Sequence, residues 1–374
     1  MKFTAFFLTA FLFVNSGCTA SNEGDPEIIK GQTHHLKMEI LAEGLINPWS
    51  MAFLPDGRIL LTERPGNLRI YADGVLGAPL AGVPPVWVNG QGGLLEVALH
   101  PEFEENGWIY LAYASSPDGQ QGNTAIGRAR LDGDKLVDFE QIFQGKPLTT
   151  LSYHFGCRIV FDEQNRLYFS IGDRGEMQNA QKLNSHNGKV MRIHDDGRIP
   201  ADNPFVGRQD ALPEIYNYGH RNIQGMAVHP VTAEIWTHEH GPKGGDEINI
   251  EQAGANYGWP VVSFGINYDG TIITNDTAAP GITNPIHYWV PSIAPCGMSF
   301  VTSARYPHWN NNLLVTALAG QHIQRLVFEG NQVVETEKLF QAYARFRDVR
   351  QGPDGFLYVL TEGPGQLIKL LPEE

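Results

Sequence analysis

The sequence predicts an all-β fold, a six-bladed β-propeller whose ring is closed by an N-terminal strand. Three observations carry that expectation. Gly (41) and Pro (24) are plentiful among 374 residues that also hold 19 Phe, 13 Tyr and 7 Trp, the composition of short strands separated by turns. A unit made of a tight turn and an apolar strand recurs six times. The last copy begins too near the C-terminus to complete a blade, and an unclaimed strand pattern stands near the N-terminus.

In chain order, the first element is a targeting segment. Lys2 supplies a positive start and Phe3 to Val14 form an apolar run, shorter than the ~20 residues a spanning helix requires. Asn15-Ser16-Gly17-Cys18 resembles a bacterial lipoprotein cleavage site, with Asn15 where an aliphatic residue is usual. Residues 1–17 are therefore expected to be a signal peptide, Cys18 a candidate lipidated N-terminus, 18–34 a flexible tether and 35–374 the propeller. The chain is expected to be exported, either periplasmic or held to a membrane through a lipid anchor alone. Cys157 and Cys296 either pair in that oxidising compartment or sit as small buried apolar groups.

The repeat begins with Pro55-Asp56-Gly57 before Ile59 to Glu63, and ends with Pro353-Asp354-Gly355 before Leu357 to Glu362. Each is followed by a Pro-Gly turn and another strand, Asn67 to Tyr71 and Gln366 to Leu371. Looser copies start at Pro101, Phe161, Pro230 and Pro307, so the spacings run 46, 60, 69, 77 and 46. That suits a four-stranded blade plus a substantial loop. A blade cannot bury both faces alone, so six must stack and close; an irregular array of β-sandwiches is the competing arrangement. Residues 35–45, with Leu36, Met38 and Ile40 alternating, are expected to supply the missing strand.

A net charge of −14 argues against a nucleic-acid partner, which would require a basic footprint. No serine elbow, phosphate loop, paired-cysteine motif or zincin motif is present. Polar residues gather instead in segments between apolar strands: Asn89 to Gly93, Tyr153 to Arg158, Gly172 to Gly175, Gly219 to Gly225, His238 to Asn249 and Arg345 to Asp348. In a propeller, loops at one end converge on the axis.

Those segments, in that order from about Leu45 onward, resemble the quinoprotein glucose/sorbosone dehydrogenase family, soluble aldose sugar dehydrogenases that use pyrroloquinoline quinone (PQQ). Gly-His-Arg-Asn at 219–222, Glu-His-Gly-Pro-Lys-Gly-Gly-Asp-Glu-Ile-Asn at 239–249, Pro-Ser-Ile-Ala-Pro at 291–295 and Arg-Phe-Arg-Asp at 345–348 carry the resemblance. It implies oxidation of an aldose at the C1 hydroxyl to the lactone, with electrons passed to an unidentified acceptor. PQQ is a flat quinone with three carboxylates, and arginine meets a carboxylate with a planar fork that stays charged when buried.

By this resemblance Arg221, Arg345 and Arg347 hold the cofactor, with Asn222 and Gln91 adding neutral hydrogen bonds. His154 is the general base, Asp173 orients it, and Arg221 also stabilises negative charge on the quinone oxygen. Tyr268 either packs on the quinone plane or is an ordinary half-buried strand aromatic. The resemblance further implies Ca2+ held by the carbonyls of Gly241 and Pro242, and a second calcium at Glu247 and the main chain of Tyr257. One departure stands out: Ala319 follows Ala317-Leu318 where the family commonly places a cofactor-binding lysine, and Lys243 is the candidate replacement. Two other readings stay open, a calcium-dependent lactone hydrolase and a non-catalytic sugar-binding propeller.

Overall fold

The computed structural model describes residues 29–30 and 35–373. The expected signal peptide at 1–17, Cys18 and the rest of the expected tether lie outside the described residues. Within the expected tether, Ile29–Lys30 forms a two-residue strand pairing with His35–Leu36.

Six antiparallel sheets follow one another along the chain. Blade I runs from Pro48–Phe53 through Ile59–Glu63 and Asn67–Ala72 to Val75–Leu76. The innermost strands of the next four blades are Leu94–Leu99, Ile159–Phe161, Ile223–Val228 and Pro295–Phe300, and blade VI starts with Arg345–Gln351. These six touch in succession, and the sixth returns to the first, so the ring is closed. Helix is confined to Phe103–Asn106 and the 3-10 turn Met177–Gln181 among the described residues.

Closure uses the N-terminal strand. His35–Glu43 pairs antiparallel with Gln366–Glu373, the third strand of blade VI. Leu36 and Met38 are buried, whereas Ile40 is 47% exposed. Ile40 is still paired with Ile368, and the register shifts just after it, between Ile40 and Ala42, so the regular alternation ends where the sequence pattern placed its last apolar residue.

Each interface between neighbouring blades has its own apolar cluster. Leu60 and Leu68 meet Leu94 and Leu111 between blades I and II, while Phe143 packs with Phe169 and Met191 between II and III. Val190 meets Ile223, Trp236 meets Val315, Leu314 meets Phe346, and Leu360 meets Met51 around the remaining interfaces. Single blades are apolar on both faces and gain stability only by stacking, which is the physical reason for the ring.

The axis is plugged by charge. Arg158, fully buried, lies 2.8 Å from Glu96 and 3.2 Å from Asp348, donates to the Gln224 carbonyl at 2.7 Å, and sits over the Trp49 ring. Arg350 also pairs with Glu96 and Asp348. A buried guanidinium is tolerable only with such partners, and this network forms a floor under the mouth into which the candidate residues project. Cys157 and Cys296 are both free and buried.

Candidate active site

His154 lies in the loop before the innermost strand of blade III, with φ +57°, the left-handed region that a non-glycine residue enters only when its surroundings hold it there. Its backbone N–H donates to Gln91 Oε1 at 2.8 Å. Its Nδ1 lies 2.6 Å from Asp173 Oδ1, at the end of the second strand of the same blade. A carboxylate there accepts a hydrogen bond from Nδ1–H and leaves Nε2 as the ring's acceptor.

Asp173 is itself fixed. Oδ1 accepts the Gly175 N–H at 2.7 Å and Oδ2 accepts the Trp259 indole N–H at 2.8 Å. Burial pushes the Asp173 carboxyl up, but the His154 and Gly175 hydrogen bonds win and hold it below its usual range. Burial lowers the His154 pKa below its ordinary value; Asp173 opposes this and Arg221 adds to it. The imidazole is therefore neutral near pH 7.

Two adjoining cavities meet at Gln91. One, about 450 Å³, is lined by His154, Asp173, Arg221, Pro242, Trp259 and Tyr268. The other, about 280 Å³, is lined by Arg345, Arg347, Asn222, Gln224, His240 and Arg64. The expected cofactor residues are thus brought to one mouth, but across two compartments. Arg345 and Arg347 are not loop residues; they open the innermost strand of blade VI.

The arginines differ in how free they are. Arg347 is held by Glu362, Nε to Oε1 2.8 Å, and also contacts Cys296 Sγ. Arg345 approaches the same carboxylate only to 3.7 Å and its side chain is 46% exposed. Arg221 donates to the carbonyls of His240 at 3.1 Å and Gly241 at 2.8 Å. Asn222 Oδ1 accepts the Gly156 N–H at 3.2 Å. Tyr268 sits on a turn, 72% exposed at the rim of the His154 cavity, which removes the half-buried strand reading.

A third cavity, about 10 Å³ and so the size of one water or ion, lies among Glu239, Glu247, Gly241, Pro242 and Tyr257. Burial, then the neighbouring Glu239, pushes the Glu247 carboxyl well up. Tyr257 donates its hydroxyl to the Ile250 carbonyl at 2.6 Å and stacks on His220. Among the described residues no group of three or more His, Cys, Asp or Glu side chains forms a metal cage. The expected ligands at Gly241 and Pro242 are carbonyls, and the Gly241 oxygen already faces Arg221.

Lys243, the expected replacement charge, is exposed and lines none of these cavities. Sequence reasoning missed Arg64, Glu239, His240 and Trp259. Glu239 and His240 stood inside a quoted motif; Arg64 and Trp259 sit in turns with no motif to mark them.

The family model described as Glucose / Sorbosone dehydrogenase matches residues 45–369. The chain is 43% identical to the aldose sugar dehydrogenase YliI of Escherichia coli, over 90% of this chain and 93% of the relative. It is similar to the crystal structure of the soluble aldose sugar dehydrogenase from Escherichia coli in the apo form, with TM-score 0.86, 41% identity and coverage of 90% of this chain and 100% of that one. The PQQ-bound form of the aldose sugar dehydrogenase from Streptomyces coelicolor superposes with TM-score 0.75 and 27% identity, over 93% of this chain and 100% of that one.

Proposed function

Because the chain belongs to the glucose/sorbosone dehydrogenase family, we propose that it is a PQQ- and calcium-dependent dehydrogenase oxidising aldoses at the C1 hydroxyl to the lactone. The observation that carries this reading is the pairing of His154 with Asp173 at 2.6 Å, beside Arg221 and next to an arginine-lined cavity. When bound, PQQ supplies a two-electron acceptor for the C1 hydride.

The chain's own residues do the rest. His154 Nε2 takes the C1 hydroxyl proton, and Asp173 holds the ring in the tautomer that exposes that nitrogen. Arg221 presents positive charge where electron density accumulates. Arg345, the least engaged fork, and Arg347 face the carboxylates, while Gln91 and Asn222 add hydrogen bonds. Gly241 and Pro242 offer carbonyls to calcium, and Glu239 and Glu247 give the small cavity the acidic oxygens that a second calcium prefers. The Gly241 oxygen accepts from Arg221 at 2.8 Å and keeps a second lone pair that it can offer to calcium. The lactone-hydrolase reading does not need cations on the cavity wall.

Tyr268, exposed at the rim of the His154 cavity, leaves an open mouth that admits aldoses broadly, with glucose, xylose and maltose as the profiling set. Export follows the N-terminal segment, with lipid attachment at Cys18 as its finer form; among the described residues no helix is long and apolar enough to cross a membrane.

The test is reduction of dichlorophenolindophenol by an aldose after reconstitution with PQQ and calcium. Activity is expected only with both additions, and His154→Ala is expected to lower kcat by about 10²-fold or more. Equal turnover in wild type and variant would remove His154 from the chemistry.

A further inference from the structure

Arg64 lines the same cavity as Arg345 and Arg347, from the turn between the second and third strands of blade I. Its backbone is held from both sides: its N–H donates to the Asn47 carbonyl and its carbonyl accepts the Leu94 N–H, each at 3.0 Å. One guanidinium nitrogen donates to the Gly90 carbonyl. Arg64 has no carboxylate partner among the ion pairs of the described residues, and the side chain is only partly buried. Across the cavity, Glu362 serves both Arg345 and Arg347. Three guanidinium groups therefore face one carboxylate, in a protein whose net charge is −14.

A guanidinium carries five N–H donors, and the Gly90 carbonyl takes one of them. The remaining donors match a carboxylate, and a charge-assisted bond to one is about twice as strong as a neutral one. We propose that Arg64 is a cofactor-binding residue that takes one carboxylate of the bound quinone. It would supply from blade I the positive partner that Ala319 does not supply from blade V. This inference rests on the PQQ reading above.

The test is calorimetric titration of PQQ into the calcium-loaded apoprotein. Arg64→Gln, which keeps a donor for the Gly90 carbonyl, is expected to weaken binding about 10- to 100-fold and to flatten its salt dependence. Arg64→Lys is expected to keep most of the affinity. In both variants the acid limb of the pH profile set by His154 stays in place. A second measurement needs no variant: phenylglyoxal labelling of wild type, read by peptide mass spectrometry, is expected to modify Arg64 in the apoprotein and to spare it once quinone is bound. Unchanged affinity in Arg64→Gln, or equal labelling with and without quinone, would overturn the assignment. Wild type that binds no quinone would overturn the functional reading instead.

Discussion

His154 is pulled in two directions. Burial, the larger effect, lowers its proton affinity, and Asp173 pushes back. Activity that needs neutral imidazole is therefore full at neutral pH and falls as pH drops through a value below the ordinary 6.5. Asp173→Asn removes the opposing influence, so the acid limb is expected to move to still lower pH. The same change removes the acceptor that fixes Nδ1–H, so kcat is expected to fall by about 10²-fold or more. A pH-rate profile checks both, and a limb moving upward would show that Asp173 is not the group facing the ring. Trp259→Phe, which strips only the indole N–H from Asp173 Oδ2, is expected to cost about 1–3 kcal/mol of stability with a smaller loss of kcat. At this scale the sequence was informative where residues stood in polar segments between apolar strands: His154 and Asp173 were named together although 19 positions separate them. Trp259 and Arg64 were invisible because a turn residue's partner is set by the ring, not by its neighbours in sequence.

At the scale of elements, the innermost strands carry a device that no periodicity reveals. Register breaks near the start of five of the six, between Pro48 and Ser50, Leu94 and Val97, Ile223 and Gly225, Pro295 and Met298, and Phe346 and Asp348. The residues inside those breaks include Trp49, Glu96, Gln224, Cys296 and Arg347. Three of them line the arginine-rich cavity and the other two touch its arginines or the plug beneath it. A bulge turns a side chain that regular pleating would send into a blade interface toward the axis instead. This explains why Arg345 and Arg347, expected on a loop, serve from a strand. The loop before blade II is set by contact as much as by pairing: Gly93 has φ +149°, and a Cβ there would lie 1.9 Å from the Arg64 carbonyl oxygen. Gly93→Ala is thus expected to cost about 1–3 kcal/mol and to displace the neighbouring Gln91, weakening quinone binding as well. Urea denaturation with a parallel titration measures both; no change in either would mean that the loop yields without consequence.

For the whole molecule, the repeat count predicted six blades because each turn-and-strand unit is a local pattern, and the architecture follows from stacking such units. Closure was legible for a different reason: a ring with an unfinished blade has one place to find a strand. The break after Ile40 was not legible, since a bulge leaves composition unchanged. Closure also makes a thermodynamic claim. Leu36 is 1% exposed and packs in one cluster with Leu339, Phe346, Val349 and Ile368, spanning blades V and VI. Just past the strand, the Leu45 N–H donates to the Gly365 carbonyl at 3.1 Å, where any side chain on residue 365 would meet the Leu45 backbone at 1.9 Å. If the closing strand belongs to the cooperative unit, Leu36→Ala is expected to lower global stability by about 2–5 kcal/mol with an unchanged m-value. Ile40→Ala, on the same strand and paired with Ile368 but exposed, is expected to stay within about 0.5 kcal/mol. The competing possibility is that residues 35–43 open locally while the remaining blades hold. In that case Leu36→Ala would leave the urea midpoint where it was and accelerate amide exchange only along His35–Glu43. Because Leu36 belongs to an apolar cluster that spans two blades, its loss loosens the interface between them as well as an edge, and the global outcome is the one that a closed ring requires.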